Sequence, residues 1–314
     1  MKSRASLYLL TLVTLFAAGG SSCPWRRREL VDPAPVVFQQ PPSLADMIQA
    51  VNANTAPIRQ LQAESATLTI HGVSLRTNLA VERPQRLRLH AELTAFSGAE
   101  LDLGSNDELF WMWVKRSPRP AVYYARHDQY LHSPARQLLP IEPRWLIDAL
   151  GLLTLDPQGL HDGPHRRSPG TLELRTRYYT PQGEQVRITI LDDTRGWILE
   201  QHIYDERNQL IASVRSSQHR YYAEDKVSLP HHLDVQVPTA GLAFELDVAK
   251  YSINRLLGEA AQLWSLPQLG DYPLVNLASP EAQAALQPFS PPATPPNYPQ
   301  TGFRPRFRGY TNRQ

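Results

Sequence analysis

From Ser65 to Val248 the chain alternates apolar and polar residues in short runs broken by turn residues, and this period of two constrains the fold more than anything else in the sequence. Leu68 and Ile70, then Leu75, Leu79 and Val81, then Leu87, Leu89, Ala91 and Leu93 each place one set of side chains on a common sheet face. Further runs follow at Leu101 to Leu103, Leu109 to Val114 and Ala121 to Ala125, with Gly, Pro, Asn and Asp marking the turns. The pattern resumes at Leu172 to Tyr178, Val186 to Leu191, Trp197 to Tyr204, Leu210 to Val214, His232 to Val237 and Leu242 to Val248. Strands this closely spaced, mostly without intervening helices, pair antiparallel. A sheet of about 11 to 12 strands must curl to limit its open edges, which predicts a mainly β fold shaped as a half-open barrel.

Two stretches follow a helical period instead. Ser43 caps a run in which Leu44, Met47, Ile48 and Val51 share one face, and Asp46 completes a short-armed capping box. Between the two groups of strands, Pro143 opens a segment in which Trp145, Leu146, Ala149 and Leu150 form an apolar face, and Gly151 can end it. Leu138, Leu139, Ile141, Leu152, Leu153 and Leu155 add apolar surface on either side. A helix this apolar is expected to pack on the concave side of the sheet, either as a plug that completes the core or as a lid over an apolar cavity. The two roles are compatible, because a lid displaced by ligand is a plug when no ligand is present.

The N-terminus carries a different signal. Lys2 and Arg4 precede an apolar run from Ala5 to Ala18, followed by Gly19, Gly20, Ser21 and Ser22. Positive, then apolar, then small is the order of a secretory signal, and the apolar run is shorter than the roughly 20 residues of a spanning helix. The residues before Cys23, the sole cysteine, resemble the lipobox of bacterial lipoproteins, with Gly20 where that motif usually has leucine. The resemblance implies a lipid anchor on Cys23, and Pro24 after it, in place of aspartate, would permit sorting to the outer membrane. The alternative is a conventional signal peptide with an incidental cysteine.

The expected segments are therefore a signal at 1–22, a proline- and arginine-rich tether at 23–42, one folded domain at 43–270 and a tail at 271–314. Arg26 to Arg28 either rest on anionic headgroups or are simply solvated. The tail, with prolines from Pro288 onward and Arg304, Arg306 and Arg308 between Phe303, Phe307 and Tyr310, reads as disordered.

The stretch Arg86 to Leu103, RLRLHAELTAFSGAELDL, resembles the paired strands and turn of the periplasmic lipoprotein carrier and outer-membrane lipoprotein receptor family, the LolA and LolB type. Pro140 to Leu150, PIEPRWLIDAL, resembles that family's central helix, and the order of elements is similar over about residues 43 to 255. The resemblance implies an unclosed barrel whose apolar interior accommodates acyl chains. A lipid anchor favours the receptor type over the soluble carrier. The implied partners are the acyl chains of lipoproteins or lipids, a membrane reached through Cys23, and a periplasmic carrier protein, with the chain acting as a monomer in the cell envelope.

Candidate lining residues are Leu89, Leu101, Leu103, Phe110, Met112, Trp145, Leu146 and Leu150. Barrels of more than about eight strands are wide enough to enclose a ligand, and each buried methylene contributes roughly 0.8 kcal/mol. Phe110 and Met112 share one strand face and Trp111 and Trp113 the other; periodicity alone leaves open which pair points inward. In the receptor type the turn matching Phe96 carries a protruding apolar residue that takes part in membrane delivery.

Catalysis finds no support. His161, Asp162 and His165 in a Gly/Pro loop and His231, His232 and Asp234 at a strand start do not form the converging set that zinc chemistry needs. No nucleophile elbow, phosphate-binding glycine loop or H-E-x-x-H helix is present. No cofactor or metal is expected, and a net charge of +2 in an exported chain gives no reason to expect nucleic acid. Two functions remain: an acyl-chain binder, or a structural and interaction lipoprotein whose barrel is fully packed.

Overall fold

The computed structural model describes residues 33–279 except 95, 118, 134–135 and 137–142. The signal segment, Cys23, Arg26 to Arg28, Leu138, Leu139, Ile141 and the tail from 280 lie outside the described residues. The N-terminal helix, Leu44–Thr55, starts at the expected capping box, with the Asp46 amide donating to Ser43 Oγ and the Ser43 amide to Asp46 Oδ2 at 2.9 Å. Six strands then form an antiparallel meander: β1 (Gln60–Ile70), β2 (Val73–Glu82), β3 (Arg86–Glu92), β4 (Ala99–Ser105), β5 (Leu109–Val114) and β6 (Val122–Arg126).

The central helix follows, an α-helical turn over Pro143–Ile147 running into a wider π turn over Asp148–Leu152. Gly151 sits there at φ +88°, where a Cβ would strike Pro230 at 2.9 Å, so this position requires glycine. The second meander comprises β7 (Leu160–Ser168), β8 (Thr171–Thr180), β9 (Gly183–Asp192), β10 (Ile198–Tyr204) and β11 (Leu210–Ser217). A small separate hairpin, β12 (Arg220–Tyr222) with β13 (Val227–Leu229), precedes β14 (His232–Val237), β15 (Leu242–Val248) and the short β16 (Ser252–Ile253). Strand β15 pairs with β1 and so joins the two meanders into one 15-stranded sheet that curls without closing, its two edges being β7 and the last strand, β17 (Leu274–Asn276). This is the expected half-open barrel.

The concave face and the central helix make one core. Trp145, Ile147, Ala149, Leu150 and Leu152 pack with Leu61, Leu68, Leu79 and Leu87 of the first meander and with Val214, Leu233 and Val235 of the second half. The N-terminal helix covers one end through Met47, Ile48 and Val51, packed on Leu153, Leu155, Leu172, Leu174 and Leu191.

Two boundaries differ from expectation. The domain begins earlier than residue 43, because Phe38 is buried and the amides of Val37 and Phe38 both reach the Thr194 carbonyl at 2.9 Å. It also ends later than residue 270, since β17 runs parallel to β6 and Tyr272 meets Trp113 edge-on at 5.2 Å. The reason is apolar: Trp111, Trp113 and Val122 face outward, and Leu266, Leu269 and Tyr272 cover them. Beneath this strap the buried Asp102 carboxylate accepts from Trp111 Nε1 at 2.8 Å and Arg88 Nη2 at 2.5 Å, which offsets the cost of burying a charge.

His219 gives the fold a pH dependence. Its ring stacks on Trp197 at 4.8 Å and its Nε2 lies 3.1 Å from the Ile198 carbonyl, and burial pushes it down to about 4. The unfolded chain takes up this proton near pH 6.5 while the folded chain refuses it, so stability falls as pH drops from about 6.5 to 4, by at most about 1.4 kcal/mol per pH unit from this group. Thermal melts across that range are expected to show a shallower pH dependence for His219→Gln than for the native chain, and equal slopes would refute the assignment.

Candidate functional site

The cross-strand register brings the candidate lining together. Leu79, Leu89, Leu103 and Met112 lie opposite one another in a row across β2 to β5, and Ala91, Leu101 and Val114 form the next row on the same face. Phe110 and Met112 are therefore the inward pair, and Trp111 and Trp113 the outward one. Leu89, Leu101, Leu103 and Leu146 are half-buried against the core that the central helix fills, whereas Trp145 and Leu150 are buried at 4% and 5% exposure. Phe110 stands apart from that group. It is closed off in a small cluster with Ala125, Tyr130 and Leu277, edge-on to the Tyr130 ring at 4.7 Å. In this conformation the central helix is a plug.

Its seat is apolar, but its ties are polar and run from Asp148, in the middle of the helix, to Thr154 and Leu155 just beyond it. Arg83 donates to the Thr55 carbonyl at 2.7 Å and to Thr154 Oγ1 at 2.5 Å, and Gln201 donates to the Asp148 carbonyl at 2.9 Å. Asn52 makes a reciprocal pair with Leu155, its amide donating to the carbonyl and its oxygen accepting from the backbone N–H, both at 2.8 Å. Asp148 pairs with Arg187 at 2.9 Å. Burial pushes the Asp148 carboxyl above the usual carboxylate range, against the pull of Arg187, Arg144 and Arg83. Three buried atoms around the seat, Trp145 Nε1, Gln201 Oε1 and Arg187 Nε, have no hydrogen-bond partner.

Phe96 is 99% exposed at the turn between β3 and β4. The turn is held by Ser97 Oγ, which accepts from the Thr94 amide at 2.9 Å and donates to its carbonyl at 3.0 Å, so the ring projects rather than folding back. Antiparallel pairing places the β1–β2, β3–β4 and β8–β9 turns at one end of the sheet, and that end also shows Val73, Leu93 and Tyr179 exposed.

The histidine clusters do not converge. His161 bonds Thr176 Oγ1 at 2.9 Å, His165 meets Asp162 at 2.8 Å on the β7 edge, and His232 pairs with Asp247 at 2.7 Å on β14. His231 Nδ1 donates to the Val248 carbonyl at 2.6 Å, and its Nε2 faces the Tyr222 hydroxyl at 3.1 Å. Among the described residues no three metal-ligating side chains come together, and no helix is long and apolar enough to cross a membrane.

Arg83, Asp148, Arg187 and Gln201 were not singled out by the sequence. Arg187 shares its strand parity with the buried Gln185 and Thr189, and that parity is the signal that could have placed it inside. Removing the reciprocal Asn52–Leu155 pair tests the ties: Asn52→Ala is expected to lower unfolding free energy by about 1 to 3 kcal/mol in urea titrations, because a buried amide and carbonyl lose their partner.

No protein-family model and no curated protein sequence matches the chain. Among solved structures it is similar to a domain from Vibrio parahaemolyticus described as an outer membrane lipoprotein-sorting protein, with 11% identity and TM-score 0.43 over 68% of this chain and 94% of that one. It is similar as well to a DUF1329 family protein from Desulfovibrio piger, with 10% identity and TM-score 0.44 over 69% of this chain and 96% of that one. A LolA superfamily protein from Nitrosomonas europaea aligns at 8% identity and TM-score 0.41, covering 70% of this chain and 97% of that one. An open antiparallel sheet with a helix seated against its concave face is the arrangement that the resemblance to the LolA and LolB type implied.

Proposed function

We propose that the chain is an envelope lipoprotein that holds acyl chains in its half-barrel, by sequestration and without covalent chemistry. The observation that carries this reading is the half-buried row of Leu89, Leu103 and Met112, with Leu101 beside it, under a helix whose seat leaves buried polar atoms unpaired. Displacing Trp145 and Leu150 would open that row to hydrocarbon, and several methylenes at roughly 0.8 kcal/mol each would offset the cost of association. A lipid on Cys23 would hold the domain at the outer membrane, facing the periplasm, where it would receive its cargo from a periplasmic carrier protein. The apolar end around Phe96 would then address the bilayer, as expected of an exposed cluster of this kind.

Mass spectrometry after native isolation is expected to find co-purified lipid, and the emptied protein is expected to bind a fluorescent fatty acid. Trp145→Asp, which puts a charge into the wall that the acyl chain would meet, should weaken that binding about tenfold or more in protein that circular dichroism shows to be folded, and unchanged binding in the folded variant would count against the helix as lid. Absence of lipid together with failure to bind the fatty acid would remove this reading. It would leave the second one, a structural lipoprotein with a packed barrel, which the burial of Trp145 and Leu150 favours. For the anchor, Cys23→Ala should release the folded domain into the soluble periplasmic fraction, whereas continued membrane attachment would count against it.

A further inference from the structure

The interior of the half-barrel has two chemistries. The first meander offers leucines, while the second offers a cavity of about 360 Å³ beside the central helix. Four guanidiniums, those of Arg136, Arg144, Arg177 and Arg187, line it against two carboxylates, Asp148 and Asp156. Arg177 is paired with Glu184 at 4.0 Å, but Asp148 cannot balance the rest, because Arg187, Arg144 and Arg83 all draw on its one negative charge. Arg187 is the best-placed group. Its side chain is only 15% exposed, lies over the Tyr178 ring at 5.9 Å, spends Nη2 on Asp148 and keeps Nε buried without a partner. A preorganised guanidinium in a cavity whose lining carries more guanidiniums than carboxylates is suited to a phosphate or carboxylate oxygen.

The same cavity touches the apolar interior. Trp145, Ile203 and Ile211 form part of its wall and also belong to the core that continues to Leu89 and Leu103. From this juxtaposition we infer that the cavity beside Arg187 is an anion site that takes the phosphate or carboxylate headgroup of an amphiphile whose acyl chain lies in the leucine row. This rests on the proposed acyl binding for the tail, but not for the headgroup. It narrows the ligand class to anionic amphiphiles over neutral glycerides or esters.

The test uses the whole domain with three probes at pH 7.4. cis-Parinaric acid and its methyl ester share a fluorescent chain and differ in the carboxylate, and inorganic phosphate, followed by calorimetry, offers the anion without a chain. The acid is expected to bind at least about tenfold tighter than the ester, a ratio equivalent to about 1.4 kcal/mol. Arg144→Gln and Arg177→Gln, both at exposed positions, and Arg187→Gln should each shrink that ratio. If Arg187→Gln fails to fold, the double variant with Asp148→Asn removes the ion pair as a unit and is expected to abolish the discrimination. Equal affinity for acid and ester, or a ratio unchanged in all variants, would overturn the headgroup site while leaving acyl binding intact. If phosphate binds in an Arg187-dependent manner and neither chain probe binds, the anion site stands as a free-phosphate site, and the amphiphile assignment falls together with the acyl-binding proposal.

Discussion

A curled sheet of 15 strands with two free edges cannot fill its own concave side, and the burial of the central helix there is the contact on which the remaining architecture depends. Strand β15 pairing with β1 makes the two meanders continuous, but the ladder alone would leave leucines of both halves facing water. Trp145, Ile147, Ala149, Leu150 and Leu152 supply the missing surface from one short segment. Because that segment links β6 to β7, the chain delivers it to the interior between completing one half and starting the other. Its length of about three turns gives little helical stability in isolation, so the sheet must hold it in shape.

A plug of this kind is stabilised by two terms of different reversibility. Apolar contacts are non-directional and can be replaced by another hydrocarbon at little net cost, whereas the hydrogen bonds from Arg83 to Thr154, Asn52 to Leu155 and Gln201 to Asp148 are directional and are lost if the segment moves. The directional ties gather at Asp148, Thr154 and Leu155, so the end that carries Trp145 is the one held mainly by replaceable contacts. The proposed acyl binding would use that combination, with one end fixed by hydrogen bonds and a face that can exchange its contacts for those of a hydrocarbon.

The elements were legible in the sequence to the degree that one physical period ruled them. Leu87, Leu89 and Ala91, or Leu101 and Leu103, alternate cleanly because one face packs on the core and the other meets solvent or the strap. The capping box at Ser43 and the apolar face of Trp145 to Leu150 were legible for the same reason. Strand β17 was not, because three residues, Leu274 to Asn276, cannot display a period. The inward direction of Met112 over Trp111 was not legible either: both faces of β5 are apolar, since a second layer from the same chain covers the outer one. Arg187 and Asp148 were hidden because a charged side chain at an inward position reads as an error in the pattern until its partner, 39 residues away, is brought to 2.9 Å by the fold.

The outer layer also protects one edge of the sheet. Trp111, Trp113 and Val122 would form an exposed aromatic stripe next to an unpaired β6, which is a template for association. Covering the stripe with Leu266, Leu269 and Tyr272 and pairing β6 with β17 removes both hazards with one segment. The opposite edge uses different means. Strand β7 carries His161, Asp162, Pro164, His165, Arg166 and Arg167 in nine residues, so charge and a missing donor discourage another strand from adding there. With both edges blunted, the apolar residues that remain exposed at the end of the sheet carrying the β3–β4 turn are Phe96, Val73, Leu93 and Tyr179, side chains at turns and strand ends rather than backbone open to pairing.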